Sequence, residues 1–476
     1  MDDLSAKIMA YQKISEQLEP SEVDRNQYIK QLLRYSSSFI DSLDSTPAYS
    51  DAQENVSVFQ IDGEKKTFAQ LLKIYASEVA TKGINAASGG HLGYIPGGGI
   101  FTAALGDFLA DVTNEYSGMH YASPGAVRME NELLDWMKSI FGFPKSAIGN
   151  LTSGGSIANL IALTAARDKK GVKSERVPAS VIYMSEQVHH CIHKALRIIG
   201  LEDVIIRHID LDEQSRMKSE DFSKKLALDR ANGLHPFLVI ASAGTTDTGA
   251  VDPLGAIGEI AKSNELWYHI DAAYGGFFIL TESKKDLFAG IELADSLVID
   301  PHKGLFLPYG LGAVLVKDID AIYHSNFYRA SYMQDVIVDE SPINPADVSP
   351  ELTKHFRGLR LWLPLQLHGI EPFVACLEEK LLLTHYFRTK LVDLGFQLGP
   401  EPDLSVSYFW YPVDKGDENA FNEKLIKAIH KDGEIFLSST VIKGKFVIRM
   451  AILSFRTKLK TIDKAVKMIE RALATV

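Results

Sequence analysis

The chain has 476 residues, a formal net charge of −11, 46% apolar and 23% charged residues. That length allows two or three domains around a large core, and the acidic balance argues against nucleic acid as the main partner. Only two cysteines occur, Cys191 and Cys376, so no disulfide framework is implied and a reducing compartment fits. The start, Met1-Asp2-Asp3-Leu4, lacks the basic and apolar regions of a signal peptide, and no apolar run is long enough to span a bilayer. A cytoplasmic protein without membrane segments is expected.

Residues 1–85 read as a helical arm. Helical spacing of apolar residues covers 7–18, 23–43 and 68–80, with Thr67 placed to cap the third stretch and Gly83 to stop it. Such an arm buries little surface alone and is expected to pack on the main body or on a second subunit. A glycine-rich stretch follows, from Gly89 to Gly99. A linker is the plain alternative, but Leu92, Tyr94, Ile95 and Pro96 among the glycines favour an ordered pocket wall. Ser123-Pro124-Gly125 then opens a helix over 128–141.

From about 150 to 320 the pattern alternates. Strands are expected over 180–184, 204–209, 237–241, 267–271, 297–300 and 312–316, with helices such as 157–167 and 256–263 between them. This alternation predicts a mostly parallel sheet with helices on both faces. Residues 329–350, with Pro342, Pro345 and Pro350, break the rhythm and read as a lid. A helical region over 352–394 leads into a small α+β unit. Its expected helices are 420–431, closed by Gly433, and 462–473, capped by Thr461; its expected strands are 434–438 and 445–450. The division expected is 1–85, 86–375 and 376–476.

The chemistry gathers around Val298-Ile299-Asp300-Pro301-His302-Lys303-Gly304. His302 and Lys303 follow an apolar strand, at the sheet edge where ligands bind in open α/β sheets. A lysine with a buried stem there can lose its proton and act as a nucleophile. Four segments fit around it. Thr152-Ser153-Gly154-Gly155-Ser156 runs into a helix, which makes a phosphate site or simply a capped helix start. His269-Ile270-Asp271-Ala272-Ala273 ends a strand in a carboxylate that needs a partner, such as a protonated ring nitrogen. Thr245 and Thr246 lie in a turn that contacts a ligand or merely folds back. His189 and His193 share one helix face if the segment is helical, but no carboxylate or second ligand pair accompanies them. A histidine stacked on a flat cofactor, or a core histidine, suits His189 better than a metal, so no metal site is assigned.

A lysine, a buried acid and a phosphate cup together describe a pyridoxal phosphate (PLP) site. With the Asp271-Ala272-Ala273-Tyr274 and Pro301-His302-Lys303 motifs in that order, and His189 upstream, the chain resembles the PLP-dependent group II amino-acid decarboxylases, relatives of aromatic-L-amino-acid decarboxylase. The resemblance runs from about residue 85 to the end. It implies the aspartate-aminotransferase-like (fold type I) architecture and a homodimer with active sites at the interface. It also implies that an L-amino acid is converted to its amine and CO2 through a Schiff base on Lys303. In this reading Asp271 pairs with the pyridinium nitrogen and His189 stacks on the ring. Gly155 and Ser156 cradle the phosphate near His302, Thr246 and Ala273 contact the ring, and Tyr332 reprotonates Cα. Tyr94, Gly97 and His120 are the expected substrate pocket, and Arg449 binds a carboxylate or forms a structural salt bridge.

The chain departs from the aromatic enzymes at Asp300, where they have Asn, at Gly304, where they have Trp, and at Gly97, where they have Thr. Their aromatic specificity therefore does not carry over by motif alone. An aldehyde-forming oxidative decarboxylase or another carbon–carbon lyase is the enzymatic alternative. A catalytically silent PLP-binding partner is the other, against which the intact Lys303, Asp271 and Tyr332 argue.

Overall fold

The computed structural model describes residues 3–51, 56–327 and 343–476. Its centre is a seven-stranded sheet. The strands are β1 (Ile148–Thr152), β2 (Ser180–Met184), β3 (Ile205–His208), β4 (His235–Ser242), β5 (Trp267–Asp271), β6 (Ser296–Ile299) and β7 (Gly312–Val316). Across the sheet the order is β1-β7-β6-β5-β4-β2-β3. The pairs from β6 to β3 are parallel, and β7 runs antiparallel to both of its neighbours.

The strands are apolar throughout because both faces are covered. Along β2, Val181 and Tyr183 enter one core cluster while Ile182 and Met184 enter the other. β4 repeats the alternation, with Val239 and Ala241 against Leu238 and Ile240. The expected parallel sheet is therefore present. Strand β1 adds to it from a stretch not foreseen as a strand, since Gly149 and Asn150 sit in its middle. Buried contacts hold Asn150 there: its Nδ2 donates to the Pro345 carbonyl at 2.8 Å and its Oδ1 accepts from Lys354 Nζ at 3.2 Å.

The C-terminal region forms an antiparallel sheet, β8 (Gln397–Leu398), β9 (Val406–Trp410), β10 (Ser438–Ile442) and β11 (Lys445–Ala451), in the order β8-β9-β11-β10. Its helices are Glu418–Asp432, ended by Gly433 at φ +73, and Leu459–Leu473. Three expectations are corrected here. Residues 434–437 do not form a sheet strand; the strand begins only at Ser438. The glycine-rich stretch takes their hydrogen bonds: Leu92 N–H donates to the Phe436 carbonyl at 2.8 Å, and Phe436 N–H donates to that of Gly90 at 2.9 Å. Thr461 lies within the first helical turn, its Oγ1 accepting from Lys458 N–H at 3.2 Å, so it is not the residue preceding the helix. The region 352–394 is two helices, Gly358–His368 and Glu371–Asp393, broken at Gly369 with φ +67.

Helix Glu371–Asp393 crosses the division expected at 375–376. Phe373 and Leu377 belong to the core of the large sheet, while Leu383, Phe387 and Leu391 belong to that of the small one. In the N-terminal arm, Thr67 and Gln70 form the capping box that starts Phe68–Tyr75. Gly83 does not simply stop this helix; it joins a two-residue strand, Gly83–Ile84, paired with Tyr49–Ser50. The arm helices Asp3–Ser15, Glu22–Ser42 and Phe68–Tyr75 bury no residue. None of the described helices is long and apolar enough to cross a membrane.

Candidate active site

β4, β5 and β6 run side by side and stop together. Ser242 is in register with Asp271, and Asp271 with Val298. Side chains at these carboxyl ends are therefore delivered to one edge. The turns after β1 and β2 reach the same place, and a cavity of about 480 Å3 opens there. Gly155, Ser156, His189, Thr246, Asp271, Ala273, His302 and Lys303 all line it, so all eight expected cofactor-binding residues meet.

Pro301 starts a single helical turn, Pro301–Gly304, which turns Lys303 back toward the strand end. Lys303 Nζ lies 3.0 Å from Asp300 Oδ2. Burial alone would lower this amine's pKa, but Asp300 and then Asp271 outweigh it and raise the value. The expectation that burial frees the lysine of its proton is corrected accordingly: the ion pair keeps it an ammonium. Asp271 is buried, which raises its pKa, while the charge of Lys303 opposes the rise. Its Oδ2 accepts from Asn159 Nδ2 at 3.2 Å and its Oδ1 from Ala273 N–H at 3.1 Å.

Helix Gly155–Lys169 points its first N–H groups at the cavity edge. A Cβ on Gly155 would sit 3.0 Å from Asp300 Oδ2 and 3.3 Å from Ala273 Cβ, so the cradle is tight against these two side chains. His302 is buried, and its Nδ1–H donates to the Leu311 carbonyl at 2.5 Å. Burial lowers its pKa. His189 is neutral as well, pushed down to about 4 by burial, then by His190 and Lys303. Helix Cys191–Ile198 begins after His189, so His189 and His193 do not share a helical face. Cys191 N–H instead donates to His189 Nδ1 at 3.3 Å.

Other expected residues lie elsewhere. Tyr94, Gly97 and His120 are not among the cavity's lining residues in the single chain. Tyr94 packs on His91 and Phe436. His120 N–H donates to Asn344 Oδ1 at 2.8 Å. Gly97 backs onto the site, since a Cβ there would collide with the His302 carbonyl oxygen. The glycine stretch is therefore an ordered strap, not a linker. Arg449 donates to the carbonyls of Thr246 and Tyr94 and to Ser438 Oγ, so it is a structural clamp rather than a carboxylate receptor. Tyr332 lies outside the described residues. The cavity also holds Asn159, Gln187 and Tyr309, which the motifs did not single out. Asn159 was legible in principle, lying four residues after Gly155 and so on the same helix face.

These groups fit PLP: an amine, a buried acid at a strand end, a helix N-terminus without side-chain bulk, and a neutral imidazole. Gln187 Oε1 and Asp300 Oδ1, both buried without a hydrogen-bond partner, mark the cavity as a place for a polar ligand.

Comparison with known proteins agrees. The model of the pyridoxal-dependent decarboxylase conserved domain matches residues 49–412. Aromatic-L-amino-acid decarboxylase of Bacillus atrophaeus is 34% identical over 374 residues, 77% of each chain. Phenylacetaldehyde synthase of Arabidopsis thaliana is 29% identical over 79% of this chain and 80% of its own. The crystal structure of Oryza sativa TDC with PLP and tryptamine superposes with a TM-score of 0.90 at 23% identity, covering 96% of this chain and 99% of that one. Sheet, site and sequence thus agree: this chain belongs to the pyridoxal-dependent decarboxylase family, with the fold type I architecture, and is a PLP-dependent carboxy-lyase.

Proposed function

We propose that this chain removes the α-carboxyl group of an L-amino acid, releasing the amine and CO2, with Lys303 as the cofactor-bearing residue. PLP, when bound, supplies the ring that takes up the electron pair left at Cα. The protein's own groups do the rest. Asp271 holds a proton on the ring nitrogen, and Gly155 and Ser156 offer backbone N–H groups to the phosphate beside His302. Thr246 and Ala273 border the ring, neutral His189 flanks it, and Tyr332 returns a proton to Cα.

The observation that carries this reading is the placement of Lys303 and Asp271 at the ends of two adjacent parallel strands, where each is an electrostatic partner of the other. Among the described lining residues Lys303 is the sole lysine or arginine. This supports a substrate with a neutral rather than an acidic side chain. The site is proposed to act within a cytoplasmic homodimer. In that assembly Tyr94 and His120 would contact substrate only across the interface. The three-part division 1–85, 86–375 and 376–476 is retained as a description of arm, large and small units joined by the helix Glu371–Asp393.

Borohydride treatment of the holoenzyme followed by peptide mapping tests the lysine: the cofactor should be fixed on Lys303. Screening the common L-amino acids for CO2 and amine tests the reaction and the substrate class. A label on another lysine, or no CO2 from any amino acid, would sink the proposal. Aldehyde in place of amine would favour the oxidative reading, which the likeness to phenylacetaldehyde synthase keeps as the second one.

A further inference from the structure

Asp271 heads a file of buried polar side chains. Trp267, His269 and Asp271 alternate along β5 and so share one face of the strand. Ser296 on β6 is in register with His269, and Asn159 reaches in from helix Gly155–Lys169. Trp267 Nε1 lies 2.8 Å from Ser296 Oγ, and Ser296 Oγ lies 2.8 Å from His269 Nδ1. His269 Nε2 lies 2.7 Å from Asn159 Oδ1, and Asn159 Nδ2 lies 3.2 Å from Asp271 Oδ2. Asn159, His269 and Ser296 are entirely shielded from solvent.

The chemistry of the two ends fixes the direction of every hydrogen. An indole N–H can only donate, and a carboxylate can only accept. Asn159 must therefore turn its NH2 toward Asp271 and its carbonyl oxygen toward His269. That oxygen needs a proton from Nε2, which leaves Nδ1 bare in a neutral imidazole. The Ser296 hydroxyl, already accepting from Trp267, gives its own hydrogen to Nδ1. Burial, which pushes His269 down to about 3, keeps the ring neutral and so compatible with this single arrangement. Reversing the file would press the amide oxygen of Asn159 against the carboxylate.

We propose that Asn159, His269, Ser296 and Trp267 are positioning residues. They form a one-way hydrogen-bond file that holds His269 in its Nε2–H tautomer and keeps a fixed donor on Asp271. The carboxylate is then held ionised and aimed at the ring nitrogen although it is buried. This rests on the reading of Asp271 as the partner of that nitrogen. The need for such a device is local, because burial works against the charge of Asp271 and Asp300 stands nearby. Lys303 and the N–H groups of Asn159 and Ala273 are the groups opposing that pressure.

The test uses full-length holoenzyme labelled with 15N in its histidine rings, with His269→Gln identifying the resonances. The expected result is a neutral ring with protonated Nε2 and bare Nδ1, unchanged across about pH 5 to 8. A ring protonated on Nδ1, or one titrating in that range, overturns the proposal. Asn159→Ala removes the donor to Asp271. It should shift the bound cofactor's absorbance toward that of an unprotonated ring. It should also lower kcat by on the order of ten- to a hundredfold while KM changes little. Ser296→Ala should give mixed His269 tautomers and a smaller loss, and Ser296→Thr should restore both. Native spectra and native kcat in Asn159→Ala overturn the file's role. If Asn159→Ala does not fold, the tautomer in the native protein and the Ser296 pair decide. A fully active Asp271→Asn enzyme would instead refute the ring-nitrogen reading, whatever the His269 tautomer is.

Discussion

Asp300 Oδ2 lies 3.0 Å from Lys303 Nζ, within a single helical turn, while the other oxygen of Asp300 is buried without a partner. The pair keeps protonated the amine proposed here to carry the cofactor, a task that requires a free electron pair. Removing the charge at Asp300 should lower the pKa of Lys303, since that carboxylate is the first of the groups raising it.

Asp300→Asn is therefore expected to let apoprotein take up PLP faster at neutral pH, and to move the pH midpoint of uptake downward. Each pKa unit of that shift corresponds to about a tenfold larger fraction of free amine. Stopped-flow absorbance of PLP binding as a function of pH reads this directly. An unchanged pH profile would show that Asp300 does not govern the protonation of Lys303.

A second expectation concerns acid stability. His91 is buried against Phe436, and burial pushes its pKa from 6.5 to about 4. Between those values the unfolded chain binds a proton that the folded chain does not. Its contribution is thus present above pH 6.5, declines as pH falls, and levels off below the folded value near 4. The shift is worth on the order of a few kcal/mol. Asp252, raised to about 6 by burial, acts in the opposite sense as pH falls from there toward its ordinary 3.8, so the total curve mixes both. The comparison of native protein with His91→Leu isolates the histidine: on acidification the native Tm should fall further than that of the variant. Parallel Tm curves from neutral to mildly acid pH would count against it.

Much of this site could be read from the chain because its chemistry sits where strands end. Lys303 and Asp271 each follow an apolar run, and local pattern is enough to place both at one edge. What local pattern misses depends on distant neighbours. β1 carries Gly149 and Asn150, which look like turn residues until Lys354 and Pro345 satisfy the asparagine. Gly97 looks like one more glycine of a flexible run, yet the His302 carbonyl leaves no room there for any side chain. Tyr309 sits in a Pro-Tyr-Gly turn that reads as a plain loop, though its ring packs edge-on against His302, 5.9 Å between centroids. Asn159 reads as a helix interior because its partners, His269 and Asp271, are more than a hundred residues away in sequence.

The helix Phe101–Thr113 points to the assembly. Ala103, Gly106 and Ala110 pack inward, where a Cβ on Gly106 would meet the Leu359 carbonyl oxygen at 2.6 Å. Phe101, Leu105, Phe108, Leu109 and Val112 face outward and stay exposed, and the arm helices Asp3–Ser15 and Glu22–Ser42 likewise bury nothing. Exposed apolar stripes of this kind mark interaction sites, and the proposed homodimer would cover this one. Sedimentation should find a homodimer, and Phe108→Glu should shift it toward monomer with loss of turnover. A native monomer with full activity would refute the interface.

The last expectation concerns the product. Once CO2 has left, the electron pair at Cα either takes a proton, giving the amine, or is oxidised by O2. With water, the oxidation gives the aldehyde, ammonia and hydrogen peroxide. A phenol positioned to protonate Cα favours the first route, because a poised acid outruns slow oxidation. By resemblance that phenol is Tyr332, in a proline-bearing stretch whose sequence reads as a lid. Two phenols line the described cavity, Tyr274, whose hydroxyl is held by Ser405, and Tyr309, so Tyr309 is the competing donor at hand and its role can be separated from that of Tyr332 by substitution. The native enzyme is expected to yield mostly amine. Tyr332→Phe should lose amine and gain aldehyde and peroxide in equal amounts, with the visible cofactor band intact, whereas Tyr309→Phe should still give amine. Amine at the native rate from Tyr332→Phe would transfer the role to another group, and loss of amine from Tyr309→Phe alone would identify that group as Tyr309.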